Sequence, residues 1–137
     1  MEFLKRILDY VDDNNARNMV NDINSELEQY EKEGYISEEE RDALRHYFGI
    51  KKLSSEYGET IGWLAGLVHE NMGANLLLPE NNPKYIDSKI DLYNNNIALE
   101  HYRSNTGINF EDIETINDIR KPLEHLKIIT DISESQY

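Results

Sequence analysis

Apolar residues return at helical spacing along most of the chain, and nearly every run is closed by a capping or turn residue before the next begins. Phe3, Leu4, Ile7, Leu8 and Val11 form one run, interrupted by Asp12-Asp13-Asn14. Met19, Val20, Ile23, Leu27 and Tyr30 form the next, with Gly34 at its natural C-terminal stop. Ser37 and Glu40 have the spacing of a capping box, and the helix they open runs through Leu44, Tyr47, Phe48 and Leu53 towards Gly58. Thr60 is placed to cap another helix. Its Ile61, Leu64, Ala65, Leu67 and Val68 nearly encircle it and predict the most buried helix of the domain.

From Gly73 to about Tyr85 the pattern lapses, with a turn at Asn81-Asn82-Pro83. Leu76-Leu77-Leu78 in that stretch reads equally as a short strand, a core plug or a flap over a pocket. Helical spacing resumes after Gly107 around Ile113, Ile116 and Ile119, restarts at Pro122 and reaches Leu123 and Leu126. Alternation at period two is nearly absent. The expected fold is all-α, a single compact orthogonal or antiparallel bundle of roughly five to seven helices. Trp63, Leu64, Leu67, Val68, Leu44, Phe48, Tyr93 and Ile97 belong in or near its core. A chain of 137 residues makes one domain. Residues 1–36 are expected as an N-terminal helical pair, 37–104 as the site-bearing helices, and 105–137 as C-terminal helices ending in a frayed tail.

Composition narrows the function classes. A hydrophobic fraction of 39% with 30% charged residues suits a soluble globular chain, and the absence of cysteine excludes disulfides and thiolate metal sites. That absence fits a reducing compartment, so a cytoplasmic location is expected. No apolar run approaches the roughly 20 residues that cross a bilayer. Met1 to Val11 carries Glu2, Lys5, Arg6 and Asp9 where a signal peptide would be apolar. A net charge of -13 argues against binding nucleic acid or anionic membrane through a basic surface. It leaves solubility, a basic protein as partner, or a cation site.

Three polar clusters carry the candidate chemistry. Asp87, Asp91, Asn94 or Asn95, and Ala98 share one side of a helix whose Leu92, Tyr93 and Ile97 point elsewhere. Asp and Asn are mediocre helix formers, so such a stripe lowers helix stability unless it binds something. Asp42, Arg45 and His46 share a surface at i, i+3 and i+4. They read as an ion pair beside a partly buried histidine, or as part of a site. Gly49, one turn on, suggests close packing there. His69-Glu70 ends the most apolar helix, where an imidazole and a carboxylate can ligate a divalent metal or divide the roles of base and acid. The bland alternative is a histidine on the helix dipole beside a solvated glutamate.

Asp42-Ala43-Leu44-Arg45-His46, a helix ending in His69-Glu70, and Asp91-Leu92-Tyr93-Asn94-Asn95 together resemble an uncharacterised domain of bacterial polymorphic toxins and phage proteins. The resemblance covers about Arg41 to Tyr102 and rests on a D-x-x-R-H, H-E, D-L-x-N-N order. This chain has Tyr47-Phe48 and Ala98 where that pattern usually has a tryptophan and a glycine. The resemblance implies a small helical effector, enzymatic, acting in conflict between bacteria or between phage and host.

The residues themselves favour metal-assisted or acid/base hydrolysis of a phosphoester or nucleotide-like substrate, since no Ser or Cys pairs evidently with the histidines. In this reading His46, His69, Glu70 and Asp91 are catalytic, and Arg45, Asn94 and Asn95 bind substrate. Asp42 and Asp87 support them, and His46, His69 and Asp91 hold a divalent ion. Two alternatives stand beside it. One is an acidic, non-catalytic inhibitor that mimics nucleic acid, using Glu26 to Glu33 and Glu38 to Arg41. The other is a cell-wall glycosidase with Glu70 as proton donor and Asp87 or Asp91 as partner.

Overall fold

The computed structural model describes residues 16–69 and 72–128. The expected first helix at Phe3–Val11, Glu70 and the polar tail lie outside the described residues, as do the side chains of Leu67, Val68 and His69. Among the described residues the chain forms α-helices and two 3-10 turns, without a strand, and the helices pack into an all-α bundle. The α-helices are α1 (Ala16–Lys32), α2 (Glu38–Tyr57), α3 (Glu59–His69), α4 (Met72–Asn75), α5 (Pro83–Ser104) and α6 (Ile116–Arg120).

α2 begins where its cap directs. The Ser37 hydroxyl accepts from the Glu40 backbone N–H at 3.1 Å, and Glu40 Oε1 accepts from the Ser37 N–H at 2.9 Å, closing the capping box. α2 is packed by α1, α3 and α5, and its buried residues run around the helix from Ala43 to Ser54. It therefore takes the place expected of α3 as the most buried helix, whereas Trp63 on α3 is 39% exposed. Leu44 and Phe48 are in the core as expected, and Ile97 packs against it, but Tyr93 is exposed with the Lys127 ammonium 4.2 Å from its ring centroid.

Gly58, at φ +95°, ends α2, and α3 starts at the very next residue. Thr60 consequently lies inside the helix it was expected to cap. Two glycines one turn apart let α3 approach α2. A Cβ on Gly62 would stand 2.3 Å from Ser54 Oγ, and one on Gly66 would stand 2.7 Å from Ile50 Cδ1. Gly49, by contrast, has only Val20 methyls at 3.9 Å, an ordinary contact that does not demand glycine.

Leu76-Leu77-Leu78 is a turn after α4, neither strand nor core plug, and Leu77 is 88% exposed. Asn82 then caps α5 by accepting from the Lys84 N–H at 2.9 Å, with Pro83 as the first helical residue. The polar helix therefore opens a turn earlier than Asp87. At the other end, Ile113 precedes α6, because the Thr115–Asp118 capping box starts that helix at Ile116. Ile119 and Leu126 carry this segment into the main core.

Residues 105–109 are tied down by polar groups of α2. Lys51 is buried and its ammonium donates to the carbonyls of Thr106 and Ile108, each at 3.1 Å. Burial pushes its pKa down, against the pull of nearby Glu111 and Asp112. Beside it the Tyr47 hydroxyl hydrogen-bonds His101 Nδ1 at 2.6 Å. Burial raises Tyr47 to about 12, opposed by a backbone hydrogen bond from Ile108. His101 is held below its usual value by burial, then by His125 and Lys51. The pair is thus neutral. Gly107, at φ +73°, leaves it room: a Cβ there would meet the Tyr47 hydroxyl oxygen at 2.1 Å.

Two stability predictions follow from this packing. Ser54 Oγ is buried with no hydrogen-bond partner, so Ser54→Ala should raise unfolding free energy in urea by about 1 kcal/mol. Gly62→Ala should lower it by about 1–3 kcal/mol, although alanine is the better helix former by about 1 kcal/mol, because the new methyl overlaps Ser54. For His101 the depressed folded pKa means that its contribution is present above about pH 6.5 and is lost as pH falls below it, where the unfolded chain takes the proton more readily. The melting-temperature advantage of the parent over His101→Gln should therefore shrink between about pH 7 and pH 5.5.

Candidate functional site

α2 and α5 run in the same direction, since His46 faces Asp91 and Asn95 while Lys51, further along α2, reaches Thr106. α3 returns antiparallel between them, setting Gly62 against Ser54 and Gly66 against Ile50. Three consecutive antiparallel helices thereby bring the first and third side by side. His46 of α2 meets Asp91 and Asn95 of α5, with Asp42 close to Asp91.

At the centre His46 is 7% exposed. Its Nδ1 lies 2.9 Å from Asn95 Oδ1, and its Nε2 lies 3.3 Å from Asp91 Oδ1, with Asp91 also 7% exposed. Arg45 Nη2 donates to Asp42 Oδ1 at 2.7 Å and stands 3.5 Å from His46 Nε2. The imidazole thus has an amide oxygen beside Nδ1 and a carboxylate beside Nε2, and where Nδ1 carries the proton given to Asn95, Nε2 and the Asp91 carboxylate are both acceptors. Two acceptors at that distance are held by a positive charge between them, either a proton on the ring or a metal ion.

The donor set suits a metal. One ligand atom each from Asp42, His46 and Asp91 lies within 4.8 Å of the others. Ligands of one tetrahedral ion, with bonds of about 2.0–2.2 Å, stand roughly 3.3–3.6 Å apart, which is the His46–Asp91 separation. Asp42 is the least buried of the three and already accepts from Arg45. Two carboxylates and an imidazole match zinc or manganese better than the softer copper or iron–sulfur chemistry.

The neighbouring cleft has a volume of about 420 Å³. Asp42, Asp87, Ser88 and Asp91 line it together with Glu38, Glu39, Lys84 and Lys127. Asp87 is exposed there, in a position to meet a bound molecule rather than the centre itself. The Ser88 hydroxyl accepts from the Asn75 amide at 3.1 Å, fastening α4 to α5.

The two asparagines separate in role. Asn94, expected at substrate, is fully buried and spends its amide on the chain: Nδ2 donates to the Lys127 carbonyl and Oδ1 accepts from the Lys127 N–H, both at 2.8 Å. Its neighbour Asn95 goes to His46. Helical spacing sets adjacent side chains about 100° apart, so one faces the C-terminal segment and the other the histidine. Of the remaining candidates, His69 is placed only as the last residue of α3 and Glu70 lies outside the described residues. Lys127, Ser88 and Gly66 were not among the sequence candidates; their involvement comes from chain segments brought together by folding.

Comparison with known protein families, curated proteins and solved structures finds no match, so the chemistry of this site rests on its own geometry.

Asn94→Leu should lower unfolding free energy by about 1–3 kcal/mol, because it removes the partner of both the Lys127 N–H and its carbonyl. Limited proteolysis should then cut first in the segment after Leu123.

Proposed function

We propose that this chain is a small divalent-metal-dependent hydrolase of phosphoester or nucleotide-like substrates, with Asp42, His46 and Asp91 as metal ligands. The observation that carries the reading is the convergence of these three donor groups, two of which, Asp42 and Asp91, line the 420 Å³ cleft. His46 is held from behind by Asn95, an arrangement that metal-ligating histidines usually show. A divalent ion bound there supplies a water of lowered pKa and draws charge from a phosphoryl oxygen. Arg45, within reach of both Asp42 and His46, neutralises charge that develops on the phosphoryl group. Lys84 at the cleft wall attracts the anionic substrate into an otherwise acidic protein. Glu70 and His69 are carried in this proposal as a further base and ligand, on the strength of the sequence pattern. The resemblance to toxin and phage domains supports an effector role inside a target cell. No helix of the described residues is long and apolar enough to cross a membrane.

The test is calorimetric titration with Zn²⁺ and Mn²⁺, followed by hydrolysis assays on nucleotides and phosphodiesters with the loaded protein. Saturating ion at about 100 times Kd should stabilise the fold by about 2.7 kcal/mol. Asp91→Asn should weaken binding at least about tenfold and abolish turnover while the protein still folds. If neither ion binds and Asp91→Asn merely lowers the melting temperature, the cluster is a packing network and the hydrolase reading fails.

A second reading has its own observation. Glu26, Glu28, Glu33, Glu38 and Glu39 are all exposed, on α1, the turn after it and the first turn of α2, so an acidic face is available to a basic protein partner. Salt-sensitive association with a nucleic-acid-binding protein, unaffected by Asp91→Asn, would favour that inhibitor over the enzyme. The glycosidase alternative depends on Glu70 and draws no support from the described geometry.

A further inference from the structure

We propose that Lys127 is the specificity-determining residue of the cleft, and that it selects a substrate with two linked phosphoryl groups, as in a nucleoside diphosphate. The inference rests on the reading of Asp42, His46 and Asp91 as ligands of a divalent ion and narrows the substrate of that same site. Carboxylates crowd the cleft wall, yet among the described residues neither of its lysines, Lys84 and Lys127, makes an ion pair. Arg41, which also lines it, is taken by Glu31 and Asn24. The two ammonium groups are therefore what the wall can offer an anion. A volume of about 420 Å³ is that of a small-molecule pocket, and a net charge of -13 works against a long polyanion.

Lys127 differs from Lys84 in where its side chain is rooted. Lys84 sits in the first turn of α5, about 10.5 Å along the helix from Asp91. Asn94 lies in the opposite direction, about 4.5 Å on from Asp91, and it is wholly buried. It grips both the N–H and the carbonyl of Lys127 at 2.8 Å, so the root of this lysine is fixed one helical turn from the ion site. The four-carbon stem above that root is exposed and free to turn. Its ammonium rests 4.2 Å from the Tyr93 ring centroid. An ammonium leaving a carboxylate would strand a negative charge, whereas one leaving an aromatic face strands none, so Lys127 exchanges this contact for a phosphate oxygen readily. A phosphoryl group at the ion is met by the ion and Arg45. A second group linked to it brings further negative charge against a wall of carboxylates and needs a cation of its own, and Lys127 is rooted nearest.

The probes are adenosine monophosphate and the methylene-bridged analogue of adenosine diphosphate, titrated by calorimetry in excess Mn²⁺ so that the nucleotide does not strip the protein. The parent should bind the diphosphate analogue at least about tenfold more tightly than the monophosphate. Lys127→Gln should remove that preference while Mn²⁺ affinity, monophosphate affinity and melting temperature stay unchanged, because Asn94 holds the backbone of residue 127 and not its side chain. In NMR spectra of the parent, the Lys127 side-chain and Tyr93 ring signals should move with the analogue and stay in place with the monophosphate. Equal affinity for the two nucleotides in the parent overturns the proposal, as does a preference that survives Lys127→Gln. A preference lost only in Lys84→Gln assigns the contact to the other lysine and overturns it as well. Any of these results with Mn²⁺ bound leaves the ion-site reading intact. Should no Mn²⁺ bind while the analogue still binds through Lys127, the hydrolase reading fails and the anion site stands; if neither binds, both fall.

Discussion

The enclosure of α2 by α1, α3 and α5 is the constraint on which the rest depends. A helix packed on three sides has little solvent face, yet α2 carries His46, Lys51 and Ser54 into its buried surface. Each such group is destabilising by roughly 1–3 kcal/mol unless it finds a partner, so the surrounding chain must supply one. α5 meets His46 with Asn95 and Asp91, and the stretch after α5 meets Lys51 with two carbonyls. Ser54 receives no bond and is crowded instead by Gly62, where the close crossing of α2 and α3 dominates.

The polar stripe of α5 answers this demand from the other side. Asn94 clamps Lys127, Asn95 holds His46, and Asp91 faces the same imidazole, so three successive polar positions on one side serve two separate segments. Holding residue 127 makes the C-terminal segment a wall of the cleft. The same contacts thus bear on stability and on the shape of the candidate site. Asn94 belongs to the packing network, Asp42 at the open side belongs to the candidate site, and His46 and Asp91 belong to both.

Electrostatics limits what the cleft can admit. Its lining combines several carboxylates with Lys84 and Lys127, while Arg41 is already committed to Glu31 and Asn24. An anionic substrate approaching such a surface needs a compensating cation, which is the physical role a metal at Asp42, His46 and Asp91 would fill. Arg45, which donates to Asp42, supplies part of that positive charge.

Local chemistry was legible in the residues alone. The capping box at Ser37 and Glu40, the stop at Gly34, the helical class and the polar side of α5 all depend on neighbours within about one helical turn, where spacing determines geometry. Which helix would be enclosed was not: Ile61, Leu64 and Ala65 announce apolar character, but burial depends on how many other elements choose that helix as a partner. Trp63 stays exposed and His46 is buried for that reason. Nor could adjacent residues of one type be told apart. Asn94 and Asn95 differ only in the direction each faces, and that direction acquires meaning once Lys127 and His46 have been brought to it from 33 and 49 residues away. Sequence by itself determined the elements and the polar groups they carry. Tertiary structure alone decided which of those groups are consumed in packing and which are left around the cleft, because buried hydrogen bonds are allotted between segments distant in the chain.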